Sequence, residues 1–106
     1  MDYDIKKGLS SSLEGDGLMN IVKEVFGNAM VEGDLVVSSF GALGRLETKL
    51  LSKSSLFVST QMKKDVTPEV GAETIKRYNI FLEKATGYTA KERAKRAQKK
   101  AKEGKL

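Results

Sequence analysis

Hydrophobic and polar residues alternate in short runs between residues 28 and 62, and turn-forming residues separate the runs. One run places Leu46, Thr48 and Leu50 on one face and their charged neighbours on the other, as in an antiparallel strand with one face in water. Gly33-Asp34 suits a two-residue hairpin, because glycine adopts positive φ without a steric clash. The connections are too short for crossover helices, so the pattern predicts four strands in an antiparallel meander.

One strand and one helix are predicted before the meander, and another helix after it. Tyr3–Lys7 alternates as a strand, and Leu18–Phe26 has one apolar helical face, with Asp16 as N-cap and Gly27 as left-handed C-cap. Thr67-Pro68-Glu69 then starts a long helix that Gly87 ends. We expect the apolar face of this long helix to consist of Ala72, Ile75, Tyr78, Phe81, Leu82 and Ala85.

A third helix is predicted at the C-terminal end of the sequence. Thr89-Ala90-Lys91-Glu92 has the form of a capping box, and nearly all the following residues to Lys102 are strong helix formers. The alanines form one narrow stripe that could lie on the rest of the protein, residues 1–88, which we call the body. Like-charged neighbours four residues apart favour fraying of the free helix. We therefore predict an α+β two-layer sandwich over residues 1–88 and a basic helical tail over residues 89–106.

The charge of the chain is concentrated in this tail. Residues 1–88 carry 11 basic and 12 acidic side chains, whereas residues 89–106 carry 8 basic and 2 acidic ones. Such a cluster can replace the counterions of a phosphate backbone without reading bases, so DNA or RNA is the predicted partner. An acidic protein surface, or a role in solubility alone, is the alternative for the tail. The candidate nucleic-acid-binding residues are Lys91, Arg93, Lys95, Arg96, Lys99, Lys100 and Lys102.

The wet face of the predicted sheet is a second candidate surface. Arg45 and Lys49 lie on it beside Glu47, and we add the two cations to the nucleic-acid-binding candidates. Phe57 is expected to be their exposed cross-strand neighbour. An exposed aromatic ring can stack on a base, or it can form a dimer contact.

The absence of certain residue types argues against catalysis. The chain has no histidine and no cysteine, which excludes imidazole bases, thiolate nucleophiles and Cys/His zinc sites. The nearest carboxylate pairs, Asp2/Asp4 and Glu32/Asp34, lie at the chain end or in a turn, where solvated carboxylates are ordinary. We therefore predict no enzyme activity, metal or cofactor. Since there is neither an 18-residue apolar run nor a signal-peptide pattern, we expect a cytoplasmic protein without a membrane partner.

Three segments resemble a family of small archaeal proteins of unknown function with a TATA-binding-protein-like fold. They are Tyr3-Asp4-Ile5-Lys6-Lys7-Gly8-Leu9, Glu14-Gly15-Asp16 and Gly87-Tyr88-Thr89-Ala90-Lys91-Glu92-Arg93. The order strand, helix, four-strand meander, helix is similar to one repeat of that fold. The resemblance implies a curved antiparallel sheet with both helices on one face. Promoter binding is not implied, because TATA-binding protein uses two repeats and apolar wedges.

These patterns lead to one functional prediction with one alternative. The prediction is a small binding module that contacts nucleic acid non-specifically through its basic C-terminal helix. The alternative is a module for protein interaction or homodimerisation that associates through the exposed sheet face at Phe57.

Overall fold

The computed structural model describes residues 2–102, except for the side chains of residues 100–102. These residues form the predicted order of strands and helices, with a short 3-10 turn at Ser10–Ser12. The first strand is shorter than predicted and begins earlier. In chain order the elements are β1 (Asp2–Asp4), α1 (Gly17–Phe26), β2 (Met30–Glu32), β3 (Leu35–Phe40), β4 (Leu43–Ser52), β5 (Ser55–Met62), α2 (Pro68–Thr86) and α3 (Ala90–Lys102).

The five strands form one open antiparallel sheet in the order β1-β5-β4-β3-β2. Its last four strands are the predicted meander, which is therefore confirmed. Gly33 has a φ of +61°, as the predicted hairpin between β2 and β3 requires. β1 pairs with the first residues of β5, where Asp2 lies opposite Phe57. This pairing brings the start of the chain beside the β4–β5 turn.

The helices α1 and α2 cover one face of the sheet, and the core lies between the two layers. Leu46 and Thr48 of β4, with Leu56 and Val58 of β5, project into it and are at most 2% exposed. The predicted α+β two-layer sandwich is therefore confirmed. The helices contribute Leu18, Val22, Val25, Phe26, Phe81, Leu82 and Ala85 to this core.

Most predicted helix ends are correct. The Thr67 hydroxyl accepts a hydrogen bond from the Val70 amide, and Gly27 and Gly87 end their helices in the left-handed conformation. Asp16 occupies the N-cap position of α1, but its side chain makes no capping hydrogen bond. Its φ and ψ of −88° and 3° depart from the extended conformation that directs a capping side chain at the free amides.

The predicted apolar face of α2 is correct only in its second half. Ile75 is 57% exposed, and Ala72 is exposed as well, whereas Thr74 is buried at 1%. The reason is the β3–β4 turn, which approaches the helix so closely that a Cβ on Gly41 would lie 2.5 Å from Thr74 Oγ1. A small polar side chain therefore occupies the contact, and the larger apolar one points outward.

No helix in the part of the chain that the structure describes is both long enough and apolar enough to cross a membrane.

Candidate functional site

α3 begins with the predicted capping box. The Thr89 amide donates to Glu92 Oε1 at 3.0 Å, and the Glu92 amide donates to Thr89 Oγ1 at 3.2 Å. The hydrogen bond from the Thr89 amide is the main reason that the pKa of the Glu92 carboxyl lies below its ordinary value. The side chain of Thr89 and the charges of Lys6 and Lys95 lower this pKa further. Both partners of the capping box thus fix the first turn of the helix.

Arg93 attaches α3 to the body. Its Nη1 donates to the Tyr88 carbonyl oxygen at 2.6 Å, and its Nη2 donates to Asn79 Oδ1 at 3.0 Å. The side chain is half-buried, unlike the other described cations of the helix. From the sequence, Arg93 is predicted to be a nucleic-acid-binding residue. Since both ends of its guanidinium are already bound, the structure instead gives it a role in positioning the helix.

Arg96 forms a second attachment, to the first strand. Its Nε donates to Asp4 Oδ2 at 3.1 Å, and its guanidinium carbon lies 4.6 Å from the centre of the Tyr88 ring. Lys6 Nζ is 5.9 Å from the same ring centre. The Arg96 side chain remains 47% exposed. Within the described residues its two terminal nitrogens make no hydrogen bond, so Arg96 contacts the body and still presents donors to solvent.

The lysines of α3 face solvent. Lys91, Lys95 and Lys99 are exposed, and none has a carboxylate within 4 Å among residues 2–99. Their spacing of four residues places them in one row along the helix. The backbone of the helix includes Lys100 and Lys102, but their side chains lie outside the described residues.

The three alanines of the α3 stripe whose side chains are described do not lie on the body. Ala90, Ala94 and Ala97 are all exposed. The two arginines reach back to Tyr88 and Asp4, and these contacts turn the arginine side of the helix toward the body. The possible packing of the stripe on the body is therefore not seen at these three alanines, and the described contacts that hold the helix are those of the two arginines.

The cations on the wet face of the sheet are less available than those of α3. Arg45 Nη2 lies 2.7 Å from Glu32 Oε2 and 3.2 Å from Glu47 Oε2. Hydrogen bonds to Glu47 and then Glu32 raise the pKa of the Arg45 guanidinium. Lys49 lies opposite Phe57 as predicted, but Phe57 is half-buried and not exposed. The β2–β3 hairpin brings Glu32 to this face, so phosphate would have to compete with two carboxylates for Arg45.

A basic crevice at the junction of α3 and the body was not predicted. It has a volume of about 770 Å³, and Lys7, Lys53 and Arg96 line it together with Ser10 and Ser11 of the 3-10 turn. In the sequence, Lys7 follows Lys6 directly before Gly8, and Lys53 lies between two serines of a turn. Only the pairing of β1 with β5 brings them together. The one feature of the sequence that could have indicated this proximity is their position at the predicted ends of those two strands.

Comparison with known proteins gives a family and a similar structure. The profile of the domain of unknown function DUF5611 matches residues 1–99, a range that includes α3 up to Lys99. The NMR solution structure of hypothetical protein TA0095 from Thermoplasma acidophilum has a TM-score of 0.62 and 29% sequence identity to this chain. The similarity covers 91% of this chain and 95% of that one. None of the curated proteins is significantly similar to the chain.

Proposed function

This chain belongs to the DUF5611 family, and from its surface we propose that it is a binding module, not an enzyme, that contacts the phosphate backbone of DNA or RNA through α3. The observation that carries the proposal is the row of Lys91, Lys95 and Lys99. These three ammonium groups are exposed and lack carboxylate partners among the described residues. The contacts of Arg93 and Arg96 with the body support the presentation of this row on a positioned helix.

The mechanism is the release of counterions. A lysine that neutralises a phosphate displaces a condensed cation, so the affinity falls linearly with salt on a logarithmic scale. Lysine acts as a flexible point charge and positions a protein without reading base edges. Binding is therefore expected to depend strongly on salt and weakly on sequence.

The proposal includes a TATA-binding-protein-like arrangement of the sheet and its helices. The element order and the position of both covering helices on one face of the sheet support this part. Promoter recognition is not included, because the chain has a single repeat and its wet sheet face carries the Arg45, Glu32 and Glu47 cluster. We also place the protein in the cytoplasm, where nucleic acid is accessible.

The test is a salt titration of binding to a labelled single-stranded oligonucleotide, followed by fluorescence anisotropy. The triple variant K91Q/K95Q/K99Q should have a slope of log affinity against log salt that is shallower by about 2, at about 0.7 per lost phosphate contact. The control K23Q/K64Q/K76Q removes three exposed lysines that lie on the body and not on α3. It should keep the wild-type slope. Equal slopes for the triple variant and the wild type would contradict the proposal.

The second candidate function is homodimerisation through the sheet. It is favoured by the edge strand β2, where Met30 is 61% and Val31 is 60% exposed. An exposed apolar edge strand can pair with another strand. This observation moves the candidate contact from Phe57, which is half-buried, to the edge. If the protein dimerises in this way, Val31→Lys should abolish the dimer in sedimentation equilibrium while Phe57→Glu leaves it intact. A wild-type monomer at all concentrations would exclude this function.

A further inference from the structure

Three cations from distant parts of the sequence line the basic crevice. Lys7 follows β1, Lys53 lies in the β4–β5 turn, and Arg96 belongs to α3. The Ile5 amide donates to the Ser54 carbonyl oxygen at 3.0 Å, and this bond holds the segment after β1 beside the turn. The contact of Arg96 with Asp4 brings the helix to the same place. The arrangement therefore follows from backbone pairing and does not depend on flexible side chains alone.

The charge of this crevice is mostly uncompensated. Lys7 and Lys53 have no ion-pair partner within residues 2–99. Arg96 uses its Nε for Asp4, which leaves its terminal nitrogens as donors. Glu14 is the acidic residue in the lining. The three cations thus exceed by one the two carboxylates beside them, Glu14 in the lining and Asp4 on Arg96, a balance that still favours an anion.

The other lining groups suit an oxygen-rich anion. Ser10, Ser11 and Ser54 line the crevice. The Ser11 hydroxyl donates to the Gly8 carbonyl oxygen at 3.2 Å and the Ser54 hydroxyl lies 3.4 Å from that of Ser52. Because a hydroxyl has one proton to donate, a phosphate oxygen would take the place of these contacts. The terminal nitrogens of a guanidinium match two oxygens of a phosphate, and an ammonium adds charge without directional demand. The volume of about 770 Å³ leaves room for a phosphate group with its sugar.

We propose that this crevice binds a phosphodiester of the same nucleic-acid strand that α3 contacts. Arg96 then belongs to both surfaces, because it lies three residues before Lys99 and also lines the crevice. The inference rests on the proposed function and deepens it, since it adds body residues to the path of the strand. Free inorganic phosphate shares the chemistry, and the test separates the two sources.

The first experiment compares two matched double variants in the salt titration. K7Q/K53Q should lower the slope by about 1.4 for a single-stranded oligonucleotide, which corresponds to about 25-fold weaker binding at 0.1 M salt if counterion release is the whole effect. K23Q/K64Q also removes two exposed lysines, but neither lines the crevice. It should keep the wild-type slope. Equal slopes for both double variants would overturn the inference.

A second test uses a variant that should strengthen oligonucleotide binding, whereas K7Q/K53Q should weaken it. Its result can be interpreted even if K7Q/K53Q folds poorly. Glu14→Gln removes the repelling carboxylate, so it should strengthen oligonucleotide binding several-fold. Asp65→Asn removes one negative charge outside the crevice lining and should have a smaller effect. No gain for Glu14→Gln beyond that control would count against the site.

The source of the phosphate is tested by NMR titration of the wild type with inorganic phosphate and with the oligonucleotide. We expect the amides of Lys7, Ser11 and Lys53 to shift with the oligonucleotide at concentrations far below those needed with phosphate. If the shift changes of these amides saturate at the same concentration of inorganic phosphate as of oligonucleotide, the inference is overturned.

Failure of the inference and failure of the proposed function give different results. If K91Q/K95Q/K99Q lowers the slope and K7Q/K53Q behaves as its control, α3 binds nucleic acid without the crevice. In that case only the inference is overturned. If the α3 variant keeps the wild-type slope, the proposed function fails, whatever the crevice variants show.

Discussion

Arg93 can be used to test whether the residues that position α3 are different from those that bind nucleic acid. The substitution Arg93→Lys keeps the positive charge but replaces the two nitrogens of a rigid fork with a single ammonium nitrogen, which cannot occupy both positions. It therefore removes at least one of two hydrogen bonds, the 2.6 Å bond to the Tyr88 carbonyl oxygen and the 3.0 Å bond to Asn79 Oδ1. These bonds attach α3 to α2 and to the segment that follows α2. If Arg93 serves attachment, the order of α3 should decrease while the charge available to a polyanion stays the same.

The size of this effect follows from the two hydrogen bonds. Bonds from a charged donor contribute about 1.5 to 3 kcal/mol when buried, and the half-buried position of Arg93 favours about 1 kcal/mol for each. Loss of one or both should destabilise the attached helix by about 1 to 2 kcal/mol. Since about 1.4 kcal/mol is a factor of ten, the opening equilibrium of α3 should rise by roughly 5- to 30-fold.

Amide hydrogen exchange measures this opening directly. In Arg93→Lys the protection of the Ala97 and Gln98 amides should fall by that factor, while the core amide of Leu46 keeps its protection. Lys95→Gln is the matched variant, since it removes a charge whose side chain makes no hydrogen bond within the described residues. It should lower the salt slope of oligonucleotide binding and leave α3 protection unchanged. A lower salt slope for Arg93→Lys, with α3 protection at the wild-type level, would contradict the attachment role of Arg93.

Two further predictions concern the body. Thr74 Oγ1 accepts a hydrogen bond from the buried Ala42 amide at 2.9 Å. Thr74→Val should therefore lower the free energy of unfolding, measured in urea, by about 1 to 3 kcal/mol. Thr74→Ser keeps the hydroxyl and loses only a methyl group, so it should lower this free energy by about 1 kcal/mol. Burial, and then the hydrogen bond with Tyr3, raises the pKa of Tyr78. Its contribution to stability is therefore complete below the unfolded pKa of about 10 and is lost above it, by up to about 1.4 kcal/mol per pH unit. In Tyr78→Phe the free energy of unfolding should fall less steeply with pH above about 10 than in the control Tyr88→Phe. The same pH dependence in both variants would contradict the attribution of this decline to Tyr78.

Most of the fold could be predicted because its signals are local. The alternation around Leu46, the Gly33-Asp34 turn and the Thr67-Pro68-Glu69 start each depend on residues within a few positions of one another. The same holds for the capping box of Thr89 and Glu92. Such signals act through the backbone of one segment, so tertiary contacts had little opportunity to override them.

The candidate site depended on contacts that no local pattern contains. Arg96 and Asp4 are separated by 92 positions, and Lys7 joins Lys53 only through the pairing of two strands. Glu32 reaches Arg45 because β2 is the outer strand beside β3. The exposure of Ile75 has the same origin, since it follows from the approach of Gly41 to α2. Helical periodicity gives the angle of a side chain on its helix, but the neighbouring element decides which angle is buried.

The distribution of arginine and lysine in α3 links its attachment to its proposed function. Among the cations whose side chains are described, the arginines contact the body and the lysines face solvent. Guanidinium groups make several directional hydrogen bonds at once, as attachment to Tyr88 O and Asp4 requires, whereas ammonium groups on flexible stems suit phosphates at variable positions. A helix used only for solubility has no need of this division. Exchanging the residue types at Arg93, Arg96, Lys95 and Lys99 would keep the net charge but should release the helix, and unchanged exchange protection of α3 in that variant would show that the division has no structural role.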